Sequence, residues 1–226
     1  MFILTIPVSP FEQNCRILAD NETKEAVIVD PGDEIPRISS VVNQYGWKVT
    51  AIWLTHSHID HAACVADALD LFKVPLYGHE AEKQMREFMP MQGQMYGFPK
   101  PLRVVPEPDH YIAHADTLTI GSITAKTLFT PGHSPGHVSF YFEPQTVIRA
   151  TENGVVSEVE APVCVAGDAL FAGSIGRTDL PGGNHDQLIS SIQTHLMPLP
   201  DDTLVLSGHG PDTCVGEERR SNPFLI

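Results

Sequence analysis

Short apolar runs dominate the first third of the chain: residues 2–8, 14–19 and 26–30, the last stopped by Pro31 and Gly32. Runs of that length between turn residues predict strands, with a hairpin at residues 20–23. Ile35, Ile38, Val41, Val42 and Tyr45 then recur at helical spacing over 34–45, and Gly46 stands where a C-terminal cap is expected. Residues 49–54 predict a strand. Ala62, Ala63, Val65, Ala66, Ala68, Leu69 and Phe72 predict a helix whose first turn holds Asp60 and His61. A helical, Met-rich stretch follows over 80–95, then a loop at 97–101. The second half returns to strands at 117–120, 123–129, 138–142, 146–150, 154–159 and 163–166. Within it, 143–162 reads as a hairpin turning at Glu152-Asn153-Gly154. A last helix is expected over 186–197 and a last strand over 203–206. There is no internal repeat.

Composition narrows the class. The 226 residues suffice for one substantial core, so a single domain spanning 1–226 is expected. With 42% hydrophobic and 19% charged residues the chain lacks the signature of disorder. Asp and Glu outnumber Lys and Arg by 28 to 14, and a net charge of −14 argues against nucleic acid or an anionic membrane as partner. Cys15, Cys64, Cys164 and Cys214 are widely spaced and form no C-x-x-C pair, which fits buried small hydrophobes in a reducing compartment. The N-terminal run has no basic leader or small-residue cleavage site, and no apolar stretch reaches the roughly 20 residues of a membrane span. The expected location is the cytoplasm.

The chemistry is concentrated in Thr55-His56-Ser57-His58-Ile59-Asp60-His61. Packing gains nothing from four polar groups clustered at an apolar strand end, whereas imidazole nitrogen and carboxylate oxygen suit zinc, iron or manganese. Four ligands exceed what one ion with an open position usually takes from one segment, so two ions are expected. Three more strand ends carry a ligand beside a glycine: Gly132-His133, Gly167-Asp168 and Gly208-His209. The set divides into His56, His58 and His133 for one metal and Asp60, His61 and His209 for the other, with Asp168 between them. Such a pair holds a bridging hydroxide at neutral pH and polarises a carbonyl. His79, His110, His114 and His195 are read as ordinary core or surface residues, and His137 and His185 as orienting or capping groups.

On these residues the sequence resembles the metallo-β-lactamase superfamily, and the resemblance spans nearly the whole chain. It implies an α/β fold, an αββα sandwich with the metals at one edge. Thr130-Pro131-Gly132-His133-Ser134-Pro135-Gly136-His137 and Gly176-Arg177-Thr178-Asp179 resemble the glyoxalase II branch, the hydroxyacylglutathione hydrolases. The ending Gly208-His209-Gly210-Pro211-Asp212-Thr213 with Asn222-Pro223-Phe224-Leu225 is similar to the short bacterial proteins of that branch. Full-length glyoxalase II enzymes carry a C-terminal helical domain that supplies glutathione contacts; this sequence is expected to lack it. Arg177 is then the candidate substrate-binding residue, gripping a carboxylate through two parallel hydrogen bonds, with an Arg177–Asp179 ion pair as the competing reading.

The resemblance implies thioester hydrolysis, with S-lactoylglutathione as the type of substrate. Two divalent ions per chain, zinc first and iron or manganese as alternatives, would hold the attacking bridging hydroxide. Asp60 would both ligate a metal and orient that hydroxide. The alternative is a persulfide dioxygenase of the same branch, with one iron on His56, His133 and Asp168. Nuclease and β-lactamase activities are disfavoured, the first by the acidic charge and the second by the branch motifs. The oligomeric state is not specified.

Overall fold

The computed structural model describes residues 1–98 and 100–226. The expected 97–101 loop therefore falls partly outside the described residues, at Pro99. Strands β1 (Phe2–Val8), β2 (Gln13–Ala19) and β3 (Glu25–Val29) form an antiparallel meander. Helix α1 (Ile35–Tyr45) crosses over to β4 (Lys48–Trp53), parallel to β3, and Gly46 caps that helix at φ 66° as expected. Short helices α2 (Ile59–Ala62) and α3 (Val65–Phe72) lead to β5 (Leu76–Gly78), and α4 (Lys83–Met95) leads to β6 (His110–Tyr111), which closes this sheet.

The chain continues through β7 (Thr117–Ile120), β8 (Ile123–Phe129), β9 (Val138–Thr151) and β10 (Gly154–Gly167). The small hairpin β11 (Leu170–Phe171) and β12 (Ser174–Ile175) precedes α5 (His185–Ser191), which runs into one π turn, Ile192–Leu196. Strands β13 (Leu204–Ser207) and β14 (Thr213–Cys214) and helix α6 (Val215–Ser221) complete the chain. The second sheet runs β7-β8-β9-β10-β13-β14.

Three separate cores make four layers. Ile35, Ile38, Val65 and Ala68 of α1 and α3 pack on Leu4, Ile6, Ile17 and Ile28. The opposite faces of those strands, Ile3, Leu18, Val27 and Val29, meet Leu118, Ile120, Val138, Phe140 and Val163 of the second sheet. Tyr141, Cys164 and Ala166 then point away from the first sheet onto Leu188, Ile192, Leu196 and Val215. The period-2 alternation of β1 and β9 is what lets each strand serve two cores. The result is an αββα sandwich, as the sequence resemblance implies.

The expected last helix and last strand are followed by β14 and α6, and two further details differ from expectation. The residue pairs 138–142 with 146–150, and 154–159 with 163–166, are each one unbroken strand of 14 residues. In β9, Val138–Phe142 pair with β8 and Ile148–Thr151 pair with β1, so Pro144 falls where the strand changes partner and its missing N–H costs no ladder bond on that side. Pro162 sits at the register shift between Ala161 and Val163, where a bulge tolerates it. Because β9 belongs to both sheets, they form one 12-stranded hydrogen-bonded network. The single helix expected from Asp60 to Phe72 is instead two, broken at Cys64 (φ −106°, ψ 13°). The break allows the first turn to aim Asp60 and His61 while Val65, Ala66 and Ala68 are buried.

Candidate metal centre

Every residue of the expected ligand set follows the C-terminal end of a strand: β4 for His56 to His61, β8 for His133, β10 for Asp168 and β13 for His209. These ends share one edge of the sandwich, the place where loops of an α/β sheet leave a crevice. The histidine turn is anchored from β3. Asp30 accepts the backbone N–H of Thr55 on Oδ1 at 2.8 Å and the Thr55 hydroxyl on Oδ2 at 2.6 Å.

The outward nitrogens of four imidazoles fix what the inward ones can do. His133 Nδ1 donates to the Arg177 carbonyl (2.7 Å) and His209 Nδ1 to the Phe11 carbonyl (3.1 Å). His61 Nδ1 donates to Asp30 Oδ2 (2.9 Å), and His56 Nδ1 to Thr55 Oγ1 (3.0 Å), whose own proton goes to Asp30. With Nδ1 so committed, each ring in its neutral form turns an Nε2 lone pair inward, the arrangement that prepares imidazole to bind a cation.

Those lone pairs converge in two groups. His133 Nε2 lies 3.2 Å from His56 Nε2 and 2.8 Å from His58 Nδ1, and the three rings are buried. On the other side, Asp60 Oδ2 is 2.9 Å from His209 Nε2 and 3.8 Å from His61 Nε2. Within each trio the ligand atoms lie within 4.8 Å of one another. Asp168 stands between them: Oδ2 is 3.5 Å from His133 Nε2 and 3.6 Å from His209 Nε2, and Oδ1 is 3.3 Å from His61 Nε2.

Electrostatics separates the groups. Burial holds His56 well below the ordinary histidine value, with neighbouring imidazoles pushing the same way. Burial and His133 bring His58 down to about 3, and burial lowers His133. Burial would lower His61 as well, but the Asp168 and Asp60 carboxylates hold it well above the usual value. Likewise burial would raise Asp168, yet His61, His133 and His209 keep it far below the carboxylate range. The first trio is thus neutral donors, while the second demands positive charge among its carboxylates.

A metal fits these residues. His61 Nε2 and Asp168 Oδ1 are buried and face each other at 3.3 Å without the geometry of a hydrogen bond, and a cation in place of the imidazole proton would satisfy both. All donors are nitrogen or carboxylate oxygen, which suits zinc, iron and manganese. The fit extends to the backbone: a Cβ on Gly208 would lie 2.0 Å from Asp168 Oδ1 and 2.8 Å from His61 Cε1, so only glycine admits both ligands.

The remaining sequence candidates take different places. His137 is buried outside both trios, its Nδ1 at Thr130 Oγ1 (2.8 Å) and its Nε2 accepting the Asp168 N–H (3.1 Å), an orienting role. His185 opens α5, and the cap there is Asn184, whose Oδ1 accepts the Gln187 N–H. Arg177 supplies its carbonyl to His133, while its exposed guanidinium grips Asp179 through two hydrogen bonds of 2.7 and 2.8 Å. Two residues were not singled out from the sequence. Asp30 ends an apolar run before Pro31-Gly32 and shares the strand, acid and glycine pattern of Asp168, a signal that was present. Glu82, whose carboxylate binds the backbone at Ser57 and Gly136, had no such signal.

Comparison with known proteins supplies the family. The model of the metallo-beta-lactamase superfamily matches residues 8–152 and 150–209. Hydroxyacylglutathione hydrolase GloC of Haemophilus influenzae is 37% identical over 226 residues, covering 100% of this chain and 98% of that one. Among solved structures, the B3 metallo-beta-lactamase BLEG-1 is 38% identical with a TM-score of 0.83 over 98% of each chain. TTHA1623 in a di-iron-bound form is 31% identical with a TM-score of 0.80, over 98% of this chain and 99% of that one. The chain belongs to the metallo-beta-lactamase superfamily.

Proposed function

We propose that the protein is a metal-dependent hydrolase of the glyoxalase II type, cleaving a thioester such as S-lactoylglutathione. The observation that carries this reading is the position of Asp168, whose carboxylate faces both ligand trios. His56, His58 and His133 would hold one divalent ion and Asp60, His61 and His209 the other, with zinc our first choice and iron or manganese the alternatives. When bound, such a pair supplies Lewis acidity for a carbonyl oxygen and makes water acidic enough to ionise near neutral pH.

The chain's own groups do the rest. Asp60, tied to His209 at 2.9 Å, presents a carboxylate that would ligate one ion and orient the attacking hydroxide. Asp30 and Thr55 keep the His56 and His61 rings from turning. A thiolate is a weak enough base to leave without a strong acid, so the site needs no buried proton donor for the leaving group. Arg177 is the residue we assign to a substrate carboxylate, in exchange for Asp179. The likeness to GloC supports a glutathione thioester. A single-iron dioxygenase face of His56, His133 and Asp168 would leave Asp60, His61 and His209 to orient Asp168 from outside, without binding an ion of their own.

We place this activity in one cytoplasmic domain acting on a small molecule, with neither nucleic acid nor membrane as partner. The charge of −14 supports this, and no helix among the described residues is long and apolar enough to cross a membrane. The test is elemental analysis of the purified protein alongside assays with glutathione thioesters, a β-lactam, and glutathione persulfide with oxygen. Near two ions per chain and thioester turnover are expected. One iron per chain with oxygen uptake, or turnover of the lactam alone, would overturn the reading.

A further inference from the structure

Glu82 ends the single 3-10 turn Glu80–Glu82 and is 1% exposed. A buried carboxylate is costly unless its oxygens are bonded, and both of these are. Oε2 accepts the Ser57 N–H at 2.7 Å and Oε1 the Gly136 N–H at 2.6 Å. Ser57 lies between His56 and His58, and Gly136 lies between His133 and His137. One carboxylate therefore joins the two backbone segments that carry all three nitrogens of the first trio. Those segments are far apart in sequence and leave different sheets, β4 and β8; one backbone bond, from the Val138 N–H to the Thr55 carbonyl at 2.8 Å, joins them at the strand ends, and Glu82 joins them again beyond it, among the ligands. The approach is close by construction: a Cβ on Gly136 would lie 2.7 Å from Glu82 Cγ and 2.9 Å from Oε1.

We infer that Glu82 is a positioning residue for the first metal, a strut that sets the distance between the two loops so that His56, His58 and His133 converge. This rests on reading the trios as a metal centre. Its carboxylate is hydrogen-bonded to backbone N–H groups and to no ligand side chain, so it acts through the loops. Glutamine at this position keeps the volume but offers one acceptor, and its amide N–H would face a backbone N–H. Aspartate keeps the charge and falls one methylene short of spanning both loops.

The test is retention of zinc by the zinc-loaded full chain against graded concentrations of a chromogenic chelator, for the wild type, Glu82→Gln, Glu82→Asp and Asp20→Asn. Asp20 is the control, a carboxylate 3% exposed that accepts the backbone N–H groups of Ser122 and Glu22 and has no part in either trio. In either Glu82 variant one zinc equivalent is expected to be held at least about tenfold less tightly, as for other groups that orient ligands, with the second equivalent unchanged. Asp20→Asn should retain both like the wild type. Wild-type retention in both Glu82 variants, or equal loosening in Asp20→Asn, overturns the inference. A wild type that binds no zinc, iron or manganese overturns it together with the metal reading. A wild type that binds metal but ignores thioesters overturns the proposed substrate alone.

Discussion

His58 Nδ1 and His133 Nε2 face each other at 2.8 Å across buried space. Since the other nitrogen of His133 is committed to the Arg177 carbonyl, the pair presents donor atoms that a cation can share. Asp168 extends that logic to the second trio. His58→Ala should accordingly cost one metal equivalent per chain, whereas Asp168→Ala, which touches both trios, should loosen both and abolish turnover. Elemental analysis after exhaustive dialysis distinguishes the two patterns; identical losses in both variants would refute the division into two trios.

Glycine at 208 is a matter of space. Gly208→Ala puts a methyl into Asp168 Oδ1 and His61, and metal retention and turnover should fall at least about tenfold, the scale on which disturbed ligand orientation acts. Gly210→Ala is the matched comparison. That residue has φ 66° and open space around its Cβ position, so the cost is backbone strain of about 1–2 kcal/mol, read as a lower melting temperature with metal content intact.

The Arg177 guanidinium is exposed and already engaged by Asp179, so its part in recognition is separable from its carbonyl's bond to His133. Arg177→Ala keeps the backbone and should raise KM for glutathione thioesters about tenfold while leaving kcat near its wild-type value, as expected for loss of uniform binding. Thioesters without a carboxylate serve as the comparison. An equal change for both substrate types would show that Arg177 only braces the loop.

Acid sensitivity should trace in part to Asp20. Burial alone would raise this carboxyl, but the N–H groups of Ser122 and Glu22 and the Ser122 hydroxyl hold it well below the usual range. A depressed folded-state pKa gives stability that is present above the unfolded value of about 3.9 and is lost as pH falls below it. Asp20→Asn should therefore melt lower at neutral pH and lose less on acidification than the wild type. Parallel melting curves between pH 3 and 7 for the two proteins would refute this.

Much of the centre was legible because its chemistry is concentrated. Three imidazoles and a carboxylate in six residues at the end of an apolar strand have no packing explanation, and His133, Asp168 and His209 repeat the strand, ligand and glycine pattern. The residues that hold those ligands were harder to see. Glu82 works through two backbone N–H groups supplied by remote segments, and no spacing in the sequence announces that. The long strands were obscured by Pro144 and Pro162, which local rules treat as breaks. Whether a proline interrupts a strand depends on where neighbouring strands begin and end, and that is decided only in the assembled sheet. The split of α2 from α3 has the same origin, since helical spacing runs on through Cys64 while the ligand geometry requires two directions.

The shared β9 and β10 hairpin has an architectural consequence. Its base carries His137 at one foot and Asp168 at the other, while its far half turns onto the first sheet, where Thr151 pairs with Thr5, Arg149 meets Asp212 and Glu152 meets Arg37. The hairpin thus reaches the ligand edge twice, at its base through His137 and Asp168 and beyond its bend through Asp212, three residues after His209. A change of length at the tip would pull on Arg37 and, through Arg149 and Asp212, on the loop that carries His209, so a label or tether belongs elsewhere on this protein.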